Sequence, residues 1–335
     1  METCCDKSRD ELKSKRFGML PSMPVSSLYY YIKPLIPRLL QIQLRRMIVL
    51  HKRKCCENIW PIDEKSAKLP TAWHGWPGGK RFALVLTHDV ETSRGHSRCR
   101  DLAEMEKSLG FRSSFNFVPL RYDVSTDLRK YLNQNGFEVG VHGLFHDGKY
   151  FRSRDMFRSR AFRINQYLKE WESVGFRSPS MLRNLDWFHD LNIEYDASTF
   201  DTDPFEPQSD GVGTIFPFWV HGDGGGYVEL PYTLPQDFTL YVLMREPGLD
   251  IWKQKLEWIA ERGGMALVIT HPDYMKFNGE KPEQGEYPAE NYERFLRHVR
   301  QRYGGNYWHP LPKELARFWA KEYASDVRRK VGQHR

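Results

Sequence analysis

From residue 82 onward the chain alternates short apolar runs with longer amphipathic stretches, and this rhythm most limits its fold. FALVLT (82–87), SSFNFV (113–118), FEVGVH (137–142), GFRSPS (175–180), IEYDAST (193–199), YVELPY (227–232) and MALVIT (265–270) read as strands. Helical patterns fill 98–109, 124–135, 154–173, 182–190, 250–262 and 289–302. Gly110, Gly136, Gly175 and Gly263 stand where helices are expected to end. Strands that alternate with helices form parallel sheets. Seven of them suit a closed or nearly closed barrel better than an open sheet. The expected class is α/β, a seven-stranded (β/α) barrel.

A turn-rich stretch, WPIDEKSAKLPTAWHGWPGGKR, separates this body from what precedes it. The expected division is a basic N-terminal arm, residues 1–60, and a barrel, residues 61–335. The net charge of +7 belongs entirely to the arm, which holds twelve Lys and Arg against five Asp and Glu. The body is neutral, so nothing marks a nucleic-acid binder, whose positive surface would spread through the fold. Within the arm, Leu40, Leu44, Met47 and Ile48 follow helical spacing. The first expectation is an amphipathic helix packed on the body. The second is a basic helix in peripheral contact with a membrane surface.

The first residues are charged throughout and lack the apolar core of a signal peptide. No run of about 18 apolar residues suggests a membrane span. Five cysteines, two adjacent pairs and Cys99, make no disulfide framework and read as reduced thiols. A cytoplasmic location is the expectation.

Polar residues gather at the ends of the apolar runs. Thr87-His88-Asp89 follows the first, Asn116 lies late in the second, and His142 closes the third with His146 beyond it. Arg177, Asp196 and Glu229 fall in the next three, and Thr270-His271 closes the last. In a parallel barrel all strand C-termini share one face, and that face hosts the active site.

His142 and His146 are spaced to let two imidazoles meet one ion. A pair of turn histidines is the plainer alternative. Asp89 and Glu91, two apart, can divide labour between holding a metal and acting as general base. Asp89 as a loop or cap carboxylate competes with that role. Arg177 before Ser178-Pro179 can lower and orient a carboxylate, or simply form a structural ion pair. His271 can protonate a leaving amine, or be a hydrogen-bonded core residue. Leu267 and Ile269 can floor a small apolar slot, though core packing explains them as simply.

The order THDVE, HGLFH, RSP, YDAST and VITH resembles the polysaccharide deacetylases, the NodB-homology or carbohydrate esterase 4 group, over roughly residues 80–275. The resemblance implies a distorted barrel and a divalent metal, with Zn2+ the expected ion. It implies metal ligation by His142 and His146, a general base at Asp89 tuned by Arg177, and a general acid at His271. It implies an acyl-methyl pocket at Leu267 and Ile269. Asp196 would tune the acid, with Asp201 and Asp203 competing. The family's second aspartate falls on Val90, which cannot coordinate. Glu91 is therefore the expected third ligand beside His142 and His146; in the alternative Asp89 is itself the ligand and the base lies elsewhere. Gly143 stands where a hydroxyl residue is usual, and His88 where an aromatic is usual.

The implied activity is metal-dependent removal of an acyl group from an N-acylated amino sugar or related glycan or glycolipid. An amidase on a non-sugar amide or cyclic ureide is the enzymatic rival, and fold analogy cannot choose between them. A sugar-binding barrel without catalysis, or a scaffold acting through its basic arm, would be non-enzymatic.

Overall fold

A computed structural model describes residues 38–333 apart from 72 and 224, so residues 1–37 of the expected arm lie outside the described residues. The N-terminal helix α1 (Arg38–Cys55) comes first. The body then runs β1 (Phe82–Val90), α2 (Ser93–Ser108), β2 (Ser114–Phe117), α3 (Thr126–Gln134), β3 (Glu138–Val141) and α4 (Arg154–Glu170). It continues with β4 (Gly175–Phe176), β5 (Tyr195–Asp196), β6 (Phe218–Gly222) and β7 (Gly225–Glu229). A π-helical segment (Phe238–Met244), α5 (Asp250–Arg262) and β8 (Met265–Thr270) follow. The chain ends with β9 (Met275–Lys276), β10 (Tyr287–Pro288), α6 (Glu290–Tyr303), β11 (Tyr307–Trp308) and α7 (Pro312–Gln333).

β1 lies between β8 and β2, and the ladder continues through β3, β4, β5 and β7 to β6. Every pairing in this sheet is parallel except the β6–β7 hairpin. The sheet curls. Thr233 and Leu234, beyond β7, donate backbone hydrogen bonds of 3.1 and 3.2 Å to Leu267 O in β8. The protein is thus an α/β fold built on a curled parallel sheet, as the strand–helix rhythm predicts. β1 shows why the sheet is central. All nine of its residues are buried, as expected of a parallel strand covered on both faces.

The seven expected strands are all present, but several are shorter. GFRSPS keeps only Gly175 and Phe176 as strand, because Pro179 starts a single 3-10 turn. The expected helix at 182–190 is reduced to a 3-10 turn at Trp187–Asp190. The hairpin strand β6, the π-helical segment and α7 fall where the sequence pattern places no element.

Helix α1 does pack on the body, but not through its apolar stripe. Leu40, Leu44, Met47 and Ile48 are between 41% and 69% exposed. The opposite face docks on the π-helical segment and on the loop after β5. There Val49 is buried, Arg46 Nη1 donates to Leu243 O at 3.1 Å and Lys52 Nζ to Pro204 O at 2.8 Å. Arg53 pairs with Glu246, and the Arg45 guanidinium lies 5.0 Å from the centre of the Phe238 ring. Long basic side chains thus satisfy one carbonyl of the π-helical segment and one of the loop after β5, so the basic face turns inward.

Candidate metal centre and active site

The strand ends converge as the topology requires. The register pairs Asp89 with Asn116, and Asn116 with Gly140. A side chain's Cβ at Gly140 would overlap Asn116 Oδ1, so glycine here gives Asn116 room to reach across the ladder. Asn116 Nδ2 donates to Asp89 Oδ1 at 3.0 Å. Arg177 Nη1 donates to the same oxygen at 3.0 Å and to Thr87 Oγ1 at 2.8 Å, while its Nε donates to Ala197 O at 2.8 Å. Asp89 and Arg177 are both almost fully buried. Burial pushes the Asp89 carboxyl up, but Arg177, His142 and His271 outweigh it and hold it at about 2. Its Oδ2 faces His142 Nε2, 4.0 Å away.

Glu91, His142 and His146 bring ligand atoms within 4.8 Å of one another, and they form the only candidate metal cluster among the described residues. Three observations fit a cation there. His142 Nδ1 bonds to Arg177 O at 3.1 Å, which places the ring proton on Nδ1 and leaves the Nε2 lone pair free. Burial lowers His142 to about 4 despite Asp89, so the imidazole is neutral. His146 Nε2 is buried 2.9 Å from Glu91 Oε1 but has no partner in hydrogen-bond geometry. A cation between this nitrogen and the carboxylate would satisfy both. Two imidazoles and one carboxylate form the donor set of an open, hydrolytic divalent-metal site. Asp89 is not in the cluster. The structure thus groups Glu91 with the histidines and leaves Asp89 held by Arg177 and Asn116.

The loop between the two histidines departs from the expected pattern for a physical reason. Gly143 has φ 67°, and a Cβ there would lie 2.5 Å from Tyr150 OH and 2.7 Å from Pro179. A hydroxyl side chain has no room. Tyr150 OH instead accepts the backbone N–H groups of Leu144 and Phe145.

His271 faces the same centre. Its Nδ1 lies 2.7 Å from Asp237 Oδ1, and its backbone N–H donates to Asp237 Oδ2 at 2.8 Å. Tyr287 OH donates to Asp237 Oδ2 at 2.8 Å as well. Burial alone would lower His271, but Asp237, Glu91 and Asp89 raise it to about 10. Sequence reasoning missed Asp237. The available signal was an Asp just before an apolar run, an N-cap pattern, and Asp237 does cap the π-helical segment by accepting Phe238 N–H at 2.8 Å.

Asp196 is corrected accordingly: it does not tune His271. Side chains alternate across a strand. Arg177 points inward, so Phe176 points outward, where its ring meets Phe188. Asp196 pairs in register with Phe176, and Glu229 with Asp196, so all three share the outer face. Asp196 accepts from Ser198 N–H at 2.9 Å and Ser198 Oγ at 2.7 Å. Asp201 is bound to Lys255 at 2.5 Å and Asp203 to Tyr232 at 2.8 Å, so neither competitor holds His271. His88 also turns outward, to Thr270 at 2.7 Å and Glu106 at 3.0 Å. Leu267 and Ile269 are fully buried, and Ile269 shares the inward face with Thr87.

Two further residues outside the expected set support the centre. Asp273 Oδ2 accepts the Glu91 backbone N–H at 2.8 Å. Tyr274 OH donates to Glu91 Oε2 at 3.2 Å, and its ring centre lies 4.8 Å from that of Phe238. Through Phe238 the centre connects to Arg45 of α1.

The fold that carries this site is a known architecture. The chain has the NodB-homology polysaccharide deacetylase fold. A Mycobacterium smegmatis protein assigned as a polysaccharide deacetylase matches with a TM-score of 0.58 at 18% identity, over 75% of this chain and 94% of that one. A Pseudomonas aeruginosa PAO1 protein with the same assignment matches with a TM-score of 0.57 at 15% identity, over 74% and 93%. PuuE allantoinase matches with a TM-score of 0.55 at 14% identity, over 73% and 92%. No family model matches the sequence, and no curated protein does.

Proposed function

We propose that the protein is a metal-dependent hydrolase of carbon–nitrogen amide bonds that removes an acyl group from an N-acylated amino sugar or a related glycan or glycolipid. The observation that carries this reading is the convergence of three elements on one centre. They are the Glu91–His142–His146 cluster, Asp89 clamped by Arg177, and His271 clamped by Asp237. The structural neighbours include proteins assigned as polysaccharide deacetylases and an allantoinase, all of them consistent with amide hydrolysis on this fold.

Glu91, His142 and His146 would hold a divalent cation, with Zn2+ favoured by the imidazole–carboxylate donors. The chemistry such a cation supplies when bound is Lewis-acid polarisation of an acyl carbonyl and acidification of water. Asp89 is ionised at neutral pH. Its Oδ1 is taken by Arg177 and Asn116, so Oδ2 accepts the proton of the attacking water. His271 is cationic and fixed through Nδ1. Its Nε2 proton goes to the departing amine as the C–N bond breaks. The products are a carboxylic acid and a free amine.

The test is release of acetate from N-acetylated chitooligosaccharides by the zinc-reconstituted protein, beside allantoin as a cyclic ureide. Acetate release abolished by Asp89→Asn supports the reading. Hydrolysis of allantoin alone replaces the substrate class. Retained acetate release by Asp89→Asn removes the assignment of the base.

A further inference from the structure

Helix α1 packs on the body through Ile42 and Val49 and carries a second apolar stripe on its outer side. Gln43, His51 and Lys54 join Leu40, Leu44, Met47 and Ile48 on its exposed side, while Arg45, Arg46, Lys52 and Arg53 turn to the body. Four of the six large apolar side chains exposed among the described residues therefore lie on this one stripe. Singly exposed apolar residues need no explanation, but a contiguous apolar face marks an interaction surface.

Charge and position point to one occupant. Arg46 contacts a backbone carbonyl, while Arg45 and Lys52, on a ring and a carbonyl, also face the carboxyls of Glu206 and Asp203, which burial pushes up to about 8 and about 6. Among the described residues the helix makes one ion pair, Arg53 with Glu246. A positive field therefore lies directly behind the apolar stripe, within the arm that carries the whole +7. An apolar face backed by a cluster of cations is the pattern of a helix lying in the interface of an anionic bilayer. The helix is also fastened beside the active centre, since Arg45 stacks on Phe238, Phe238 on Tyr274, and Tyr274 bonds Glu91.

We propose that the Leu40–Leu44–Met47–Ile48 stripe of α1 docks the protein on an anionic membrane surface and brings the Glu91–His271 centre to an amide carried by a lipid-linked substrate. The substrate half rests on the amide-hydrolase reading, whereas the docking half does not.

The test is co-sedimentation of the full chain with vesicles of phosphatidylglycerol and phosphatidylcholine, against vesicles of phosphatidylcholine alone. Wild type is expected to pellet with the anionic vesicles and at least tenfold less with neutral ones. Leu44→Asp/Met47→Asp is expected to lose at least tenfold of the anionic binding, with an unchanged thermal midpoint and unchanged acetate release from a soluble chitooligosaccharide. Leu44→Ser/Met47→Ser serves if the aspartate pair misfolds. Equal pelleting of variant and wild type, or no wild-type pelleting, overturns the docking assignment. So does a wild-type dimer in light scattering that the double substitution splits, since the stripe would then join two copies. Vesicle binding needs no turnover, so a failure of the amide-hydrolase reading shows separately, as absent acetate release with pelleting intact.

Discussion

Arg177 Nη1 and Asp89 Oδ1 meet at 3.0 Å with both side chains almost out of solvent. The pair separates two carboxylates that stand two residues apart on one strand end. Asp89 is spoken for by a guanidinium, an amide and the buried wall, whereas Glu91 opens onto the histidines. A buried charge stripped of its partner is destabilising by about 3–5 kcal/mol, so Arg177→Ala is expected to cost stability as well as turnover.

The same separation predicts distinct losses. Glu91→Ala, His142→Ala and His146→Ala should each lower the zinc content measured by elemental analysis after dialysis. Asp89→Asn should leave zinc content near one per chain while lowering kcat about 10²–10⁴-fold, the usual worth of a general base. Zinc lost in Asp89→Asn and kept in Glu91→Ala would reverse the two roles.

His271 and Asp237 predict a pH signature. The folded value of His271, about 10, lies above the value of about 6.5 for a free histidine. Its stabilising contribution is therefore complete below about pH 6.5 and is lost as pH climbs through about 10. Over that window His271 is the cation a general acid requires. Asp237→Asn removes the strongest force opposing burial, so His271 falls. The alkaline limb of the kcat/KM profile is expected to move to lower pH by more than about one unit. A limb that stays in place would dismiss His271 as the acid.

What was legible in the chain, and what was not, follows from the range of the interactions. THDVE, HGLFH and VITH were readable because each sits at the end of an apolar run, and a parallel sheet gathers those ends. Asp196 misled because β4 and β5 are two residues long. Runs that short do not reveal which residues face inward, and one residue of phase reverses the face. Asp237 is 34 residues from His271, in a segment whose π-helical form no periodicity announces. Helix α1 was visible as a helix, yet its orientation was not. The docked face joins Ile42 and Val49 with arginines and lysines that reach the body, and the larger apolar stripe is left outside.

Gly143 makes a prediction about the loop that carries both histidines. Gly143→Ser would restore the hydroxyl usual at this position, but at φ 67° and against Tyr150 and Pro179. The expected result is a loss of about 1–3 kcal/mol from strain and overlap, with weaker zinc retention. Tyr150→Phe keeps the ring and removes only the acceptor for the Leu144 and Phe145 N–H groups. It should weaken zinc retention with a smaller drop in thermal midpoint. Full zinc retention in both variants would show that the loop does not need this anchor.

The last prediction concerns the carboxyl pair on the outer face of the sheet. Glu229 and Asp196 are fully buried side by side. Burial, and then the Asp196 charge, push the Glu229 carboxyl well above the ordinary carboxylate range. Its Oε1 accepts from Thr199 N–H at 3.0 Å and Thr199 Oγ1 at 2.7 Å. A carboxyl raised in this way keeps its proton in the folded state at pH values where the unfolded chain, above about pH 4.3, has released it. The stability that Glu229 contributes therefore declines as pH rises beyond that point. Glutamine reproduces the neutral form, with an oxygen for Thr199 and an N–H for Asp196. Glu229→Gln should match wild type in thermal midpoint near pH 4 and exceed it at pH 8. Glu229→Ala leaves the Thr199 donors and Asp196 without their partner and should cost about 1–3 kcal/mol at both pH values. A glutamine variant that is less stable than wild type at pH 8 would mean that Glu229 is ionised in the folded protein.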